Sequence, residues 1–146
     1  MSLKPKTSRF FLTMNTNRSP VSNVEERELV SNLGDALTDV FKDHNSMRQI
    51  IKFLIPGHTY SKLFIQSSAA EFAVEKGGKM KRLHAHVWLE VTHTSKIHLD
   101  LEAVKSLVKD RSGIPIPYIH VKANRKDPLA NVREYLGKAN LYKGKK

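Results

Sequence analysis

Apolar and polar residues alternate most regularly over residues 82–92. There Leu83, Ala85, Val87, Leu89 and Val91 fall on one side of an extended chain and His84, His86, Trp88, Glu90 and Thr92 on the other. A period of two marks a strand with one face buried. Arg9 to Asn15 predicts a second strand. The period changes after Ser22-Asn23-Val24-Glu25, a capping box that opens a helix with Val30, Leu33, Leu37 and Val40 along one face. Ile50 to Ile55 predicts a strand ending at Pro56-Gly57. Lys62 to Gln66 and Ala69 to Glu75 predict one strand or a bulged pair, Gly77-Gly78 a turn, and the histidine segment its antiparallel return. Leu99 to Lys109 predicts a second helix with Leu101, Val104, Leu107 and Val108 inward, stopped by Gly113. Beyond Pro115 and Pro117 a strand runs to Ala123, with Tyr118, His120 and Lys122 on one face and Ile119 and Val121 on the other. Asp127 as N-cap and Pro128 in the first turn then open a short helix. Its buried stripe is Leu129, Val132 and Leu136, with Asn131, Tyr135 and Lys138 together beside it. Strands interleaved with two longer helices predict an α+β fold, an antiparallel sheet with helices on one side, close to the ferredoxin-like plan.

At 146 residues the chain suits a single domain, 1–146, closed by a basic tail over 139–146. A net charge of +11 and an isoelectric point near 10.0 call for a polyanionic partner, a balance that a ribosomal protein or a heparin binder would share. The charge is grouped. Lys76, Lys79, Lys81 and Arg82 flank the histidine strand, Lys122, Arg125 and Lys126 precede the last helix, and Lys143, Lys145 and Lys146 end the chain. Two of these clusters bracket the histidines, as a phosphate track would. No cysteine is present, which excludes disulfides and thiolate metal sites and suits an intracellular compartment. No apolar run reaches the length of a signal peptide or membrane span.

His84-Ala85-His86 carries the clearest chemistry, because two imidazoles two residues apart on a strand point the same way, as in a metal clamp. Paired histidines also occur on solvated strands, so the pair needs partners. Tyr135 and Lys138, one helical turn apart, read by themselves as a rim tyrosine and a lysine favoured by the helix C-terminus. Trp88 and Tyr118 on the polar sheet face are candidates to stack bases, with packing under a loop as the plainer role for Trp88. His93, His98 and His120 lie on or near the polar side and read as surface histidines.

Taken together, three segments resemble the His-hydrophobic-His (HUH) endonucleases of the Rep type, the replication initiators of small circular single-stranded DNA viruses and replicons. Phe10-Phe11-Leu12-Thr13-Met14-Asn15-Thr16-Asn17 is similar to the family's first motif, His84-Ala85-His86 to the second, and Tyr135-Leu136-Gly137-Lys138 to the third. The resemblance runs from residue 10 to residue 138 and implies the HUH variant of the ferredoxin-like fold. It implies a third metal ligand on the strand before the histidine hairpin, where Glu75 is the choice and Glu71 the reserve, with Glu90 a distant outsider. It further implies Mg2+ or Mn2+ as cofactor, Tyr135 as nucleophile and Lys138 beside the scissile phosphate. The implied reaction nicks and rejoins single-stranded DNA at an origin stem-loop through a 5′-phosphotyrosine, initiating rolling-circle replication. DNA contacts would fall to Lys79, Lys81, Arg82, Trp88, Tyr118, Lys122, Arg125 and Lys126. No Gly-x-x-x-x-Gly-Lys-Ser/Thr pattern occurs, so a helicase would belong to a longer protein or to the host. In a viral protein the basic segments would suit import into the host nucleus. The alternatives are a basic sheet module that binds single-stranded DNA or RNA without cutting it, a single-tyrosine transposase, and a relaxase. Relaxases typically show a three-histidine cluster, whereas this strand carries two.

Overall fold

A computed structural model of the chain describes residues 5–53, 65–94, 96–123 and 140–143. The elements run β1 (Lys6–Asn15), α1 (Asn23–Phe41), α2 (His44–Ile50), β2 (Ile51–Phe53), β3 (Ile65–Gly77), β4 (Arg82–His93), β5 (Ile97–Leu99), α3 (Leu101–Ser112) and β6 (Tyr118–Ala123). This is an α+β arrangement. Its main sheet is four-stranded and antiparallel, in the order β3-β4-β1-β6, and β2 and β5 form a separate two-stranded ribbon.

Local signals place the helices. Ser22 caps α1 by accepting from the Glu25 N–H, and Asp100 caps α3 by accepting from the Ala103 N–H. Gly113 ends α3 in a left-handed conformation, φ +73°. Leu99, expected to open this helix, instead pairs with Ile51 in the ribbon, and Asp100 starts the helix after it. The expected strand near Ile50 begins one residue later and is preceded by α2, capped by Asp43. The segment before the histidines, expected as one strand or a bulged pair, is one strand from Ile65 to Gly77 with a bulge between Ile65 and Ser67, where the register with β4 shifts. The turn that follows is Gly78–Lys81 rather than Gly77-Gly78. Gly77 still pairs with Arg82 in the ladder, and Gly78 and Lys81 carry the positive φ values, +76° and +51°.

The inner sheet face presents Leu12 and Met14 of β1, Leu83, Ala85, Val87, Leu89 and Val91 of β4, and Val74 of β3, all buried. Leu33, Leu37 and Val40 of α1 and Val104 and Val108 of α3 belong to the same core, so the helices cover this side. Val30 lies at its margin, 6% exposed. Asn140 and Leu141 are docked at the outer edge of β3. Leu141 N–H donates to the Val74 carbonyl at 2.7 Å, and Asn140 Oδ1 accepts from the Val74 N–H at 2.9 Å. Tyr142 then lies against Gly34 of α1, where a Cβ would collide with its ring, and donates its hydroxyl to Asp35 at 2.6 Å. Among the described residues no helix is long and apolar enough to cross a membrane.

Candidate metal centre on the open sheet face

Strand register sorts the other face into rows. Glu75 pairs with His84 and His84 with Asn15, which pairs onward with Tyr118. Ala73, His86, Thr13 and His120 form the next row, and Glu71, Trp88, Phe11 and Lys122 the third. Because β4 and β1 are interior strands, the histidines sit mid-sheet on backbone held from both sides. The start of β4 is pinned further. The Leu83 carbonyl accepts from Thr16 Oγ1 at 2.8 Å and from the Thr16 N–H at 3.3 Å, while the Leu83 N–H donates to the Arg18 carbonyl at 2.8 Å. The turn making this clamp passes through Asn17 at φ +57°, a left-handed position that asparagine tolerates better than most residues.

Glu75, His84 and His86 converge, each offering a ligand atom within 4.8 Å of the others, and all three are half-buried. His84 Nε2 lies 4.0 Å from Glu75 Oε1. Adjacent ligands on an ion with bonds near 2.1 Å stand about 3 Å apart, so small side-chain rotations close the set. Two imidazoles and one carboxylate suit a divalent cation. Burial lowers the His86 pKa below the ordinary histidine value, against the raising effect of the Glu75 carboxylate and with a smaller lowering from His84. A neutral imidazole keeps a nitrogen lone pair for a metal at neutral pH.

The other expected residues divide. Glu71 is outside the cluster and lies 3.9 Å from Lys42, and Glu90 forms an ion pair with Arg9 at 2.8 Å. Lys79, Lys81 and Arg82 are exposed at the hairpin tip, beside the Glu75–His84 row. Tyr118 and Lys122 are exposed on β6, Tyr118 by 56%. Trp88 shares the histidine face but is only 6% exposed, packed against Ala73 and its register partner Phe11, so its ring is not offered to a base. His93 is a correction: it continues the inner-face alternation, is 4% exposed, and its Nε2 lies 2.7 Å from Ser8 Oγ. Tyr135, Lys138, Arg125 and Lys126 lie outside the described residues. Tyr142, a second tyrosine near the chain end, is spoken for. Burial, with its hydrogen bond to Asp35, raises its pKa and holds it protonated.

Sequence reasoning missed three positioning groups. Thr13 Oγ1 lies 3.3 Å from His86 Nδ1, and Phe11 stacks on the same imidazole with ring planes 14° apart. Gly77 leaves room for His84, since a Cβ there would come within 2.9 Å of His84 Cε1. Thr13 stands in the strand expected over Arg9 to Asn15, but only the register sets it opposite His86. Comparison with protein-family models and with curated proteins finds no match to this chain.

Proposed function

We propose that the protein is a metal-dependent endonuclease and strand transferase acting on single-stranded DNA, of the Rep-type HUH class with its ferredoxin-like fold. The observation that carries this reading is the convergence of Glu75, His84 and His86 on the open face of the sheet. The order of the three sequence motifs supports it. So does the basic hairpin tip at Lys79, Lys81 and Arg82, beside that cluster, where a phosphate backbone would be held.

Glu75, His84 and His86 would hold Mg2+ or Mn2+, which would supply Lewis acidity to a bound phosphodiester. Tyr135 supplies the nucleophile. Its phenol, with a pKa near 10, is ionised only to about one part in a thousand at neutral pH, so attack requires charge withdrawal at the phosphate. The phenolic oxygen bonds to phosphorus as its proton departs to solvent. The bond from phosphorus to the 3′ oxygen breaks, and that oxygen leaves as a 3′-hydroxyl after taking up a proton. The phosphodiester energy is kept in a 5′-phosphotyrosine, so a later 3′-hydroxyl reverses the step and joins strands. Lys138, three residues beyond Tyr135 in the sequence, holds positive charge at the same phosphate. An origin stem-loop presents the flexible single strand this geometry needs, and a helicase in the same or a separate protein would supply unwinding for rolling-circle replication.

The exposed Tyr118 and Lys122, on the same face as the histidines, favour a second reading, a sheet module that binds single-stranded DNA or RNA without cutting. Incubation with single-stranded oligonucleotides and Mn2+ separates the two. The nuclease reading expects a denaturant-resistant protein–DNA adduct that Tyr135→Phe abolishes while DNA binding survives. Binding without adduct on any strand supports the non-catalytic module.

A further inference from the structure

We infer that Asn140, Leu141 and Tyr142 form a clasp on the outer edge of β3 that holds the Glu75 carboxylate beside His84, with Asn140 as its positioning residue. The inference rests on the reading of Glu75, His84 and His86 as metal ligands and assigns a role to a segment outside that set.

Among the described residues β3 is an edge strand, paired with β4 on one side of the main sheet. In such a strand every second residue turns its N–H and C=O away from the sheet. Val74 is one of these, and both its groups are taken. Asn140 Oδ1 accepts from the Val74 N–H at 2.9 Å, and the Val74 carbonyl accepts from the Leu141 N–H at 2.7 Å. Alternation then directs the backbone groups of Glu75 at β4, where its register partner is His84. The arrangement is matched across the ladder. Leu83, the residue before His84, has its N–H and carbonyl held by Arg18 and Thr16, just beyond β1. Each member of the Glu75–His84 pair thus follows a residue pinned on its far side, His84 by the turn after β1 and Glu75 by the clasp.

The clasp is itself anchored. Asn140 Oδ1 also accepts from the Tyr142 N–H at 3.0 Å. Both partners of this atom are donors, so it must be an acceptor oxygen. Tyr142 donates its hydroxyl to Asp35 of α1 at 2.6 Å, and its ring lies 5.6 Å from that of Phe72. On the other side of Glu75, Lys76 pairs with Glu26 of α1. Both neighbours of Glu75 are therefore tied back to one helix. Metal ligands need to be held to within about 0.5 Å, and an edge strand without such ties is the part of a sheet least able to do so.

The test replaces Asn140 by Ala, which removes the acceptor, and by Asp, which keeps it. Mn2+ titration of the full chain reads each variant with Glu75 present and in the Glu75→Gln background. The expected result is about tenfold weaker Mn2+ binding in Asn140→Ala and recovery in Asn140→Asp. Once Glu75 is Gln, Asn140→Ala should cause no further loss, because the clasp acts through that carboxylate. If Asn140→Ala does not fold, Tyr142→Phe, which cuts the clasp from Asp35 and keeps the ring, carries the same cycle. Unchanged Mn2+ affinity in the folded variant overturns the proposal, as does an equal fold-loss in both backgrounds, the mark of a general loosening. The nuclear Overhauser effect between the Glu75 and His84 side chains, measured without metal, should weaken in Asn140→Ala, and one that does not change overturns the proposal. A wild type that binds no Mn2+ while this effect still depends on Asn140 upholds the positioning of Glu75 and sinks the metal reading.

Discussion

The two faces of β4 are built from alternate residues of one strand yet tolerate change in different ways. On the inner face Leu83, Ala85, Val87, Leu89 and Val91 are at most 1% exposed beneath the helices. On the outer face His84 and His86 are half-buried beside Glu75, Thr13 and Phe11. The inner face needs apolar volume, which other side chains of similar size can supply. The outer face needs particular atoms at particular distances, and no substitute of similar size restores them. One backbone serves both because the side-chain period is two, and a slip of one residue would exchange core for site.

The largest expected effect comes from crossing that boundary. Leu83→Ala leaves a cavity in the core and should cost about 2–5 kcal/mol in urea denaturation. His86→Ala, off the core, should change stability by no more than about 1 kcal/mol and weaken Mn2+ binding sharply. Equal losses of stability in the two variants would erase the distinction between the faces.

The glycines of the hairpin sharpen it. Gly77→Ala brings a Cβ to 2.9 Å from His84 Cε1, so the imidazole must move and Mn2+ affinity should fall by about tenfold. Gly78→Ala has nothing within 4 Å but strains a backbone at φ +76°, so it should cost about 1–2 kcal/mol in stability and leave Mn2+ affinity alone. Calorimetry with Mn2+ and urea denaturation on both variants would show whether these effects separate.

The smallest expected effect is on pH. The His86 pKa lies below its ordinary 6.5, so the folded protein takes up this proton less readily than the unfolded chain. Stability should therefore decline as pH falls through 6.5 and stop declining, on this account, below the folded value. His86→Gln should flatten that step in metal-free protein, while Val87→Ala on the inner face should lower stability by the same amount at every pH. A step that persists in His86→Gln would assign it to other groups.

Much of this contrast is legible in the sequence, because alternation over β4 and β1 is a local property that burial later obeys. Glu75, with Glu71 in reserve, comes from the family resemblance, and the register sets it opposite His84. What escaped depends on pairing at a distance. β5 is three residues long and exists because Ile51, Lys52 and Phe53 of β2 lie alongside it, and neither segment announces the other. Trp88 shows the limit of periodicity: alternation assigned its face correctly, but not that the ring is only 6% exposed, with Phe11 and Ala73, brought in by β1 and β3, packed against it. Gly77 reads as a turn residue until the register sets it beside His84.

The central claim is that the open face holds one divalent ion on Glu75, His84 and His86. Electron spin-echo spectroscopy of Mn2+ added to the metal-free protein tests it most directly, since coupling to imidazole nitrogen is visible only when histidine binds the ion. The account predicts one Mn2+ per chain coupled to two imidazole nitrogens, one coupling lost in His84→Ala and the other in His86→Ala. Mn2+ bound without nitrogen coupling, or coupling unchanged in the double alanine variant, would contradict it.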